Sequence, residues 1–419
     1  MKENISYTIS NDLCLGCGIC SDVCPTKSIH STIRNGEYIP YINNETCINL
    51  KGCHRCSTIC PGLGVKLASF GENMFGSSKA SKSNPLIGFY HSSYSGFSTD
   101  HEVRYHGASG GLLTSFLAFL LDKKMITAAV VAKNDLSAPF LNKAILVHDS
   151  KYLFMARSSK YCPVSFESII NQVKEESGPV IIVGLPCVIQ GFRKLEQIDA
   201  KFRNKIFGYF GLYCSGSRTF NMTEYVLSKH KIDITSLKYF QYRDNGCLGD
   251  LIAIDDNRKL QIPYQLFFHP LRSIFIPARC QLCIDHYAEL ADISFGDIHY
   301  GKYKDDKVGI NSIVVRNEKF VSLLEDAEKE GYIHIDDLSE EELVKCQASA
   351  PKKKGRVGGV LKFRKAIGLK NPEYDVELTK FVYWKSIAYY LYAKCQMFVG
   401  KRRWLWWIIP LISKKGHIS

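Results

Sequence analysis

The chain has 419 residues, 46% hydrophobic and 23% charged, which suits two to three folded domains and excludes a disordered tail or a mini-protein. No stretch approaches the roughly 18 uninterrupted apolar residues of a spanning helix. The net charge of +13 is lopsided: residues 345–419 carry +14 and residues 1–344 carry −1, a distribution that argues against nucleic acid as a partner of the whole chain.

The N-terminus, MKENISYTISNDLC, has no apolar signal core, so a cytoplasmic location and reduced thiols are expected for the 16 cysteines. Metal ligation then becomes their expected role. Two similar blocks open the chain, Cys14, Cys17, Cys20, Cys24 and Cys47, Cys53, Cys56, Cys60, followed by Pro25 and Pro61. The first has the spacing of bacterial ferredoxins, in which the fourth cysteine of each run serves the other 4Fe-4S cluster. Cys14, Cys17, Cys20 and Cys60 are therefore expected to hold one cluster, and Cys47, Cys53, Cys56 and Cys24 a second. Five residues rather than two separate Cys47 from Cys53, an insertion that lengthens one loop. Paired zinc knuckles are the alternative, but zinc has no use for the Cys-Pro run. Residues 1–70 read as a small α+β ferredoxin-like domain.

Residues 71–85 (GENMFGSSKASKSNP) have linker composition and no hydrophobic period. From 86 to 345, helical stretches alternate with short apolar runs: Leu112–Leu121 then Ile126–Ala132, Phe166–Lys174 then Val180–Val183, Ile189–Leu195 then Ile206–Tyr213. This order predicts an α/β domain with a largely buried sheet. Within it, Arg104–Thr114 forms a glycine-rich turn ahead of an apolar helix, where free N–H groups suit a phosphate such as a flavin pyrophosphate. Gly107-x-Ser109-x-Gly111 also matches a hydrolase nucleophile elbow, though the preceding residues His101–His106 are too polar for its core strand. A plain helix cap is the third reading. Neither a Gly-x-Gly-x-x-Gly fingerprint nor a Walker A loop occurs.

Cys187 and Cys214 each follow an apolar run, and Cys280-x2-Cys283 is a chelating pair. Four cysteines from three turns could meet at a third 4Fe-4S cluster; buried structural cysteines, with zinc on the pair and His286, are the alternative. The tail from 346 opens with a basic loop, PKKKGRVGG, and continues as two helices holding Trp384, Trp404, Trp406 and Trp407. Its apolar run 404–412 lies between Lys401, Arg402, Arg403 and Lys414, Lys415. This pattern fits an anionic membrane surface, hence a peripheral location on the inner face, and equally a helical hairpin packed on the α/β domain.

The segments HGASGGLLT, SSKYCP, GLPCVIQGFRKL, LYCSG, YRDNG and RCQLCIDHYAELADISFGD, in this order over residues 86–315, resemble the coenzyme F-420 hydrogenase/dehydrogenase beta-subunit family. The resemblance implies FAD in the α/β domain and electrons passing between iron-sulfur centres and flavin. It also implies the third cluster, on Cys187, Cys214, Cys280 and Cys283. Ser109, Gly110, Gly111 and Thr114 fall on the glycine-turn motif, and Ser159, Lys160 and Tyr161 on a Ser-Lys-Tyr motif expected at the flavin phosphate or ring. Asp292 and Asp297 either bind the ribose or cap turns. The expected activity is that of an FAD- and iron-sulfur-dependent oxidoreductase with an unidentified acceptor, since relatives extend to polysaccharide biosynthesis. Ferredoxin or a reduced deazaflavin is the expected donor. The alternative is an electron-transfer subunit without its own substrate, serving a partner enzyme.

Overall fold

A computed structural model describes residues 4–135, 141–271, 273–378 and 383–413. The first sixty residues form a small module of short helices (Ser6–Ser10, Ile19–Asp22, Arg55–Thr58) around an antiparallel hairpin, Ile29–Arg34 with Glu37–Ile42. Asn35 and Gly36 turn the hairpin with φ of 55° and 75°, the positive pair that a two-residue hairpin turn demands.

The central sheet has nine strands, in the order Ile333–Asp337, Ser92–Ser98, Asn311–Val315, Ile293–Asp297, Ile206–Leu212, Val180–Gly184, Ala128–Asp135, Leu141–Val147, Val164–Ser165. Its middle four, from Ile293–Asp297 to Ala128–Asp135, run parallel, and strands at 311, 92, 333 and 141 add antiparallel to the flanks. The sheet is therefore mixed. The two strands at its centre, Val180–Gly184 and Ile206–Leu212, carry no charged residue because both faces are covered. Ala128, Val130, Val180 and Ile182 face the helices Ile169–Glu175 and Pro186–Glu196. The alternate residues Ala129, Val131, Ile181 and Val183 face Leu112–Asp122 and Lys319–Lys329. The three expected helix–strand pairs are all present, shifted by a few residues at most.

Two segments differ from expectation. Part of the 71–85 stretch is ordered as the end of helix Leu67–Phe75, because Phe75 is buried and Gly71 lets Phe89 close in. The basic stretch PKKKGRVGG is helical, inside Ser349–Ala366, and Val357 and Val360 are buried. Gly359 is what permits its partner helix Tyr383–Gly400 to approach, since a Cβ there would lie 2.9 Å from that of Ser386. After Gly400 the chain turns through Arg403–Ile408 into Ile409–Ile412. Leu405 and Ile409 are buried, and the Trp406 ring meets Tyr225 and Phe275 edge-on at 5.7 and 6.1 Å. The tail is thus a packed hairpin, yet Trp404, Trp407 and Leu411 are 71%, 71% and 76% exposed. Lys401 pairs with Glu37, Lys394 with Asp12 and Arg403 with Glu224, so three of the tail's cations are paired within the chain. Lys414 and Lys415 lie outside the described residues. Among the described residues no helix is long and apolar enough to cross a membrane.

Candidate iron-sulfur and flavin site

In the N-terminal module, eight cysteines separated by as many as 46 residues fold into two groups. A cavity is lined by Cys14, Cys17, Cys20 and Cys60, closed by Ile19 and Pro61. Burial, then the charge of Cys17, Cys14, Cys60 and Cys56, hold the Cys20 thiol far above its ordinary value. Cys17 is pushed up to about 12, by burial and then by Cys60. Cys56 is raised mainly by burial, with Cys24 and Cys53 adding to it. Cys24 and Cys47 pack with Cys56 on Ile5 and Ile42. The fold therefore brings Cys60 to the first block and Cys24 to the second, the exchange that a two-cluster ferredoxin requires. Thiols this buried stay protonated unless a metal supplies positive charge. Donors are in place: the Gly16 and Ser28 amides point at Cys14 Sγ and Cys24 Sγ at 3.4 and 3.3 Å, and Thr8 Oγ1 at Cys60 Sγ at 3.8 Å. The residues fit 4Fe-4S clusters.

The second grouping arises at the carboxyl ends of two adjacent parallel strands. Val180–Gly184 leads into helix Pro186–Glu196, which carries Cys187 in its first turn, and Ile206–Leu212 ends two residues before Cys214. The turn Ala278–Leu282 brings Cys280 and Cys283. Cys187 is raised by burial and then by Cys214, Cys283, Cys280 and Cys17; Cys280 is pushed up to about 12 by burial and Cys214. The quartet thus lies together, beside Cys17 of the first group. His286, alongside, has its Nε2 3.0 Å from Gln347 Oε1 and its buried Nδ1 without a partner. Among the described residues, no three His, Cys, Asp or Glu side chains gather closely enough to hold a single ion. Cys162, by contrast, is a core thiol held by Tyr242 and Thr223.

The module is locked to the α/β domain at this point. Arg279 Nε donates to the Gly62 carbonyl at 2.8 Å, and Lys194 Nζ to those of Cys60 and Gly64 at 2.9 and 2.6 Å. Gly18, at φ 75°, has no room for a Cβ, which would lie 2.8 Å from Ser165 Oγ.

The proposed flavin residues divide. Ser109 donates to Asp297, whose other oxygen takes Arg243 Nη1 at 2.7 Å and lies 3.6 Å from His299 Nε2. Arg243 and Asp297 also act on the Tyr161 phenol, which burial raises; Tyr161 packs on Phe268 at 4.4 Å, with Ser159 beside its hydroxyl. Lys160 Nζ donates to the carbonyls of Arg157 and Ser158 at 2.6 and 3.0 Å. Burial, then Arg157, lower Lys160 to about 7. Arg157, which the sequence reading overlooked, bonds only neutral oxygens of Phe154 and Tyr239, and its buried Nε has no partner. Two cations that have no carboxylate partner among the described residues suit a phosphate. Gly110 and Gly111 have a structural reason to be glycine: at φ 100° and 71°, a Cβ would lie 2.6 Å from the carbonyls of Gly309 and Val103. Thr114 lies apart, lining an open groove with Asp100, Ser150 and Phe154. Asp292 is an internal brace, accepting from Arg193 Nη2, Tyr209 N and Asn317 Nδ2 at 2.8, 2.8 and 2.9 Å. The hydrolase reading fails because helix His101–Tyr105 separates strand Ser92–Ser98 from Ser109.

The models described as "Coenzyme F420 hydrogenase/dehydrogenase, beta subunit" match in two parts, N-terminal over residues 93–171 and C-terminal over 178–341. The chain belongs to this family. A 4Fe-4S dicluster domain matches residues 5–62 ahead of it. Within the family, a coenzyme F420-dependent sulfite reductase of Methanocaldococcus jannaschii is 25% identical over 75% of this chain, which spans only 46% of that protein. A coenzyme F420 hydrogenase subunit beta of Methanothermobacter thermautotrophicus is 24% identical, over 68% of this chain and 99% of its own length. A chain of the F420-reducing NiFe hydrogenase complex of Methanosarcina barkeri shares the fold, with a TM-score of 0.55 and 19% identity over 70% of this chain and 98% of that one. The residues past 341, including the tail helices, lie beyond the matched family region.

Proposed function

We propose that the chain is an electron-relay subunit, joining a partner enzyme at its iron-sulfur end to a deazaflavin of the coenzyme F420 type at its flavin end. The observation that carries this reading is the position of Cys187, in a thiol quartet that also adjoins Cys17: the dicluster module and the α/β domain meet cysteine to cysteine. Relatives named as hydrogenase subunits support it over an enzyme with an acceptor of its own.

FAD, when bound, would supply the conversion between single electrons and a hydride. Lys160 and Arg157 would hold its phosphates, and Tyr161 would pack against it. Arg243, anchored by Asp297, offers fixed positive charge next to Tyr161. Ser217 Oγ and the Arg218 amide both donate to the Tyr161 carbonyl, at 2.9 and 2.7 Å, tying this loop to the turn after Cys214. The flavin loop and the quartet are therefore held by one short piece of backbone.

The test is anaerobic reconstitution with iron, sulfide and FAD, followed by rapid mixing with reduced ferredoxin, NAD(P)H or reduced deazaflavin. Reduced deazaflavin should bleach the cluster absorbance only when FAD is loaded. Cluster reduction independent of FAD would overturn the relay order. Turnover of a small-molecule acceptor by the isolated chain would favour the enzyme reading, including an acceptor in polysaccharide biosynthesis.

A further inference from the structure

Two cations, Arg279 and Lys353, converge on the Cys187, Cys214, Cys280 and Cys283 quartet. Arg279 is 2% exposed, and all its hydrogen bonds go to neutral oxygens: the carbonyls of Gly62 and Pro61 and the Tyr374 hydroxyl. Its Nη1 is buried and has no partner. Lys353, on helix Ser349–Ala366, sends Nζ to the carbonyls of Cys214 and Asp285 at 2.9 and 2.6 Å. Among the described residues neither forms an ion pair. The groups facing Lys353 are the thiols of Cys283, Cys214 and Cys280, together with the Asp285 carboxylate, which accepts from the neutral Gln190 amide at 2.9 Å and keeps its charge. The groups acting on Arg279 are Tyr374, Cys283 and Cys187.

A buried guanidinium with an orphaned N–H is costly unless an anion completes its surroundings. Four thiolates around an iron-sulfur core make such an anion, and each added electron makes it more negative. A fixed cation in a low-dielectric site therefore favours the reduced form and raises the reduction potential.

We propose that Arg279 and Lys353 are the built-in counter-charge of the third 4Fe-4S site, and that Lys353, contributed by a helix beyond the family-matched region, sets that site's reduction potential. The proposal rests on the third-cluster reading. It gives the otherwise unassigned basic segment PKKKGR a role inside the protein.

The experiment is an EPR-monitored redox titration of the anaerobically reconstituted full chain, with Cys280→Ser used to identify the third signal. Lys353→Met should move that signal's midpoint to more negative potential and leave the two dicluster signals in place; Lys353→Arg should restore it. Should Lys353→Met fail to retain the third cluster, retention by Lys353→Arg still supports the counter-charge role. Loss in both, an unmoved midpoint, or an equal shift of all three signals would overturn it. If wild-type chain binds only about eight irons and Cys280→Ser changes nothing, the third-cluster reading itself has failed, and this proposal with it.

Discussion

The carbonyl oxygen of Cys17 accepts the amide of Phe166 at 2.9 Å. One residue of the first thiol group is thereby bonded to the backbone of the α/β domain, and Asp22, five residues on, takes the Ser168 and Ile170 amides at 2.7 and 2.8 Å. Helix Ile169–Glu175 is thus capped by a side chain of the other module.

Asp22→Ala should remove that cap and destabilise the chain by about 1 kcal/mol. Because the lost bonds cross between modules, limited proteolysis near residue 165 should speed up more than the melting temperature falls. Unchanged proteolysis would show that Arg279 and Lys194 suffice to hold the modules together.

Iron content separates the three thiol groups. The reconstituted chain should hold about twelve irons, Cys280→Ser about eight, and the dicluster signals should survive that change. Four or fewer in the wild type would refute the two-cluster assignment.

If Lys160 holds a flavin phosphate, FAD binding should depend on pH. With the free ammonium titrating at about 7, pulled down by burial and Arg157, a bound phosphate that favours the charged form must be accompanied by proton uptake above that pH. FAD affinity should be level below about pH 7 and fall above it by up to about tenfold per unit. Lys160→Met should give a weaker but flat profile by fluorescence titration. A flat wild-type profile would remove Lys160 from the phosphate site.

Gly110→Ala tests what the glycine turn is for. A Cβ at φ 100°, 2.6 Å from the Gly309 carbonyl, should cost about 1–3 kcal/mol in the FAD-free chain. Thermal melts with and without FAD should show similar losses; a loss confined to the FAD-bound state would mean that the turn contacts the cofactor.

For the tail, co-sedimentation with vesicles distinguishes its two uses. If Trp404, Trp407 and Leu411 enter an anionic surface, the full chain should prefer anionic to neutral vesicles, lose part of that binding in salt, and lose most of it in Trp404→Ala/Trp407→Ala/Leu411→Ala. No preference would leave this exposed face to a partner enzyme.

The dicluster cysteines were legible because a ferredoxin spaces its ligands locally, within runs of a dozen residues. The Cys187, Cys214, Cys280 and Cys283 quartet was not legible from spacing, since strand order alone brings those turns together; it needed the family resemblance. The helix–strand alternation was readable from apolar runs, whereas the antiparallel flanks were not, because a strand such as Ser92–Ser98 (SSYSGFS) carries little hydrophobic signal. Asp292 and Asp297 looked alike in ADISFGD, yet one is sealed against Arg193 and the other opens toward His299. PKKKGRVGG reads as a loop by composition; only packing against Tyr383–Gly400 makes it a helix. Arg157 had no sequence signal, and Arg279, though it opens the RCQLC segment, gave no sign there of its unpartnered Nη1.

The parallel pairing of Glu373–Tyr374 with Gly64–Val65 is also a statement about time. Asp375 caps helix Leu67–Phe75 through the Ala68 and Ser69 amides at 2.9 Å, across 306 residues in the latter case. During synthesis, the flank of the dicluster module must wait for both its pairing strand and its cap until most of the polypeptide has left the ribosome. Until then the Gly64–Val65 edge stays unpaired and the first turn of helix Leu67–Phe75 keeps two amides without their acceptor.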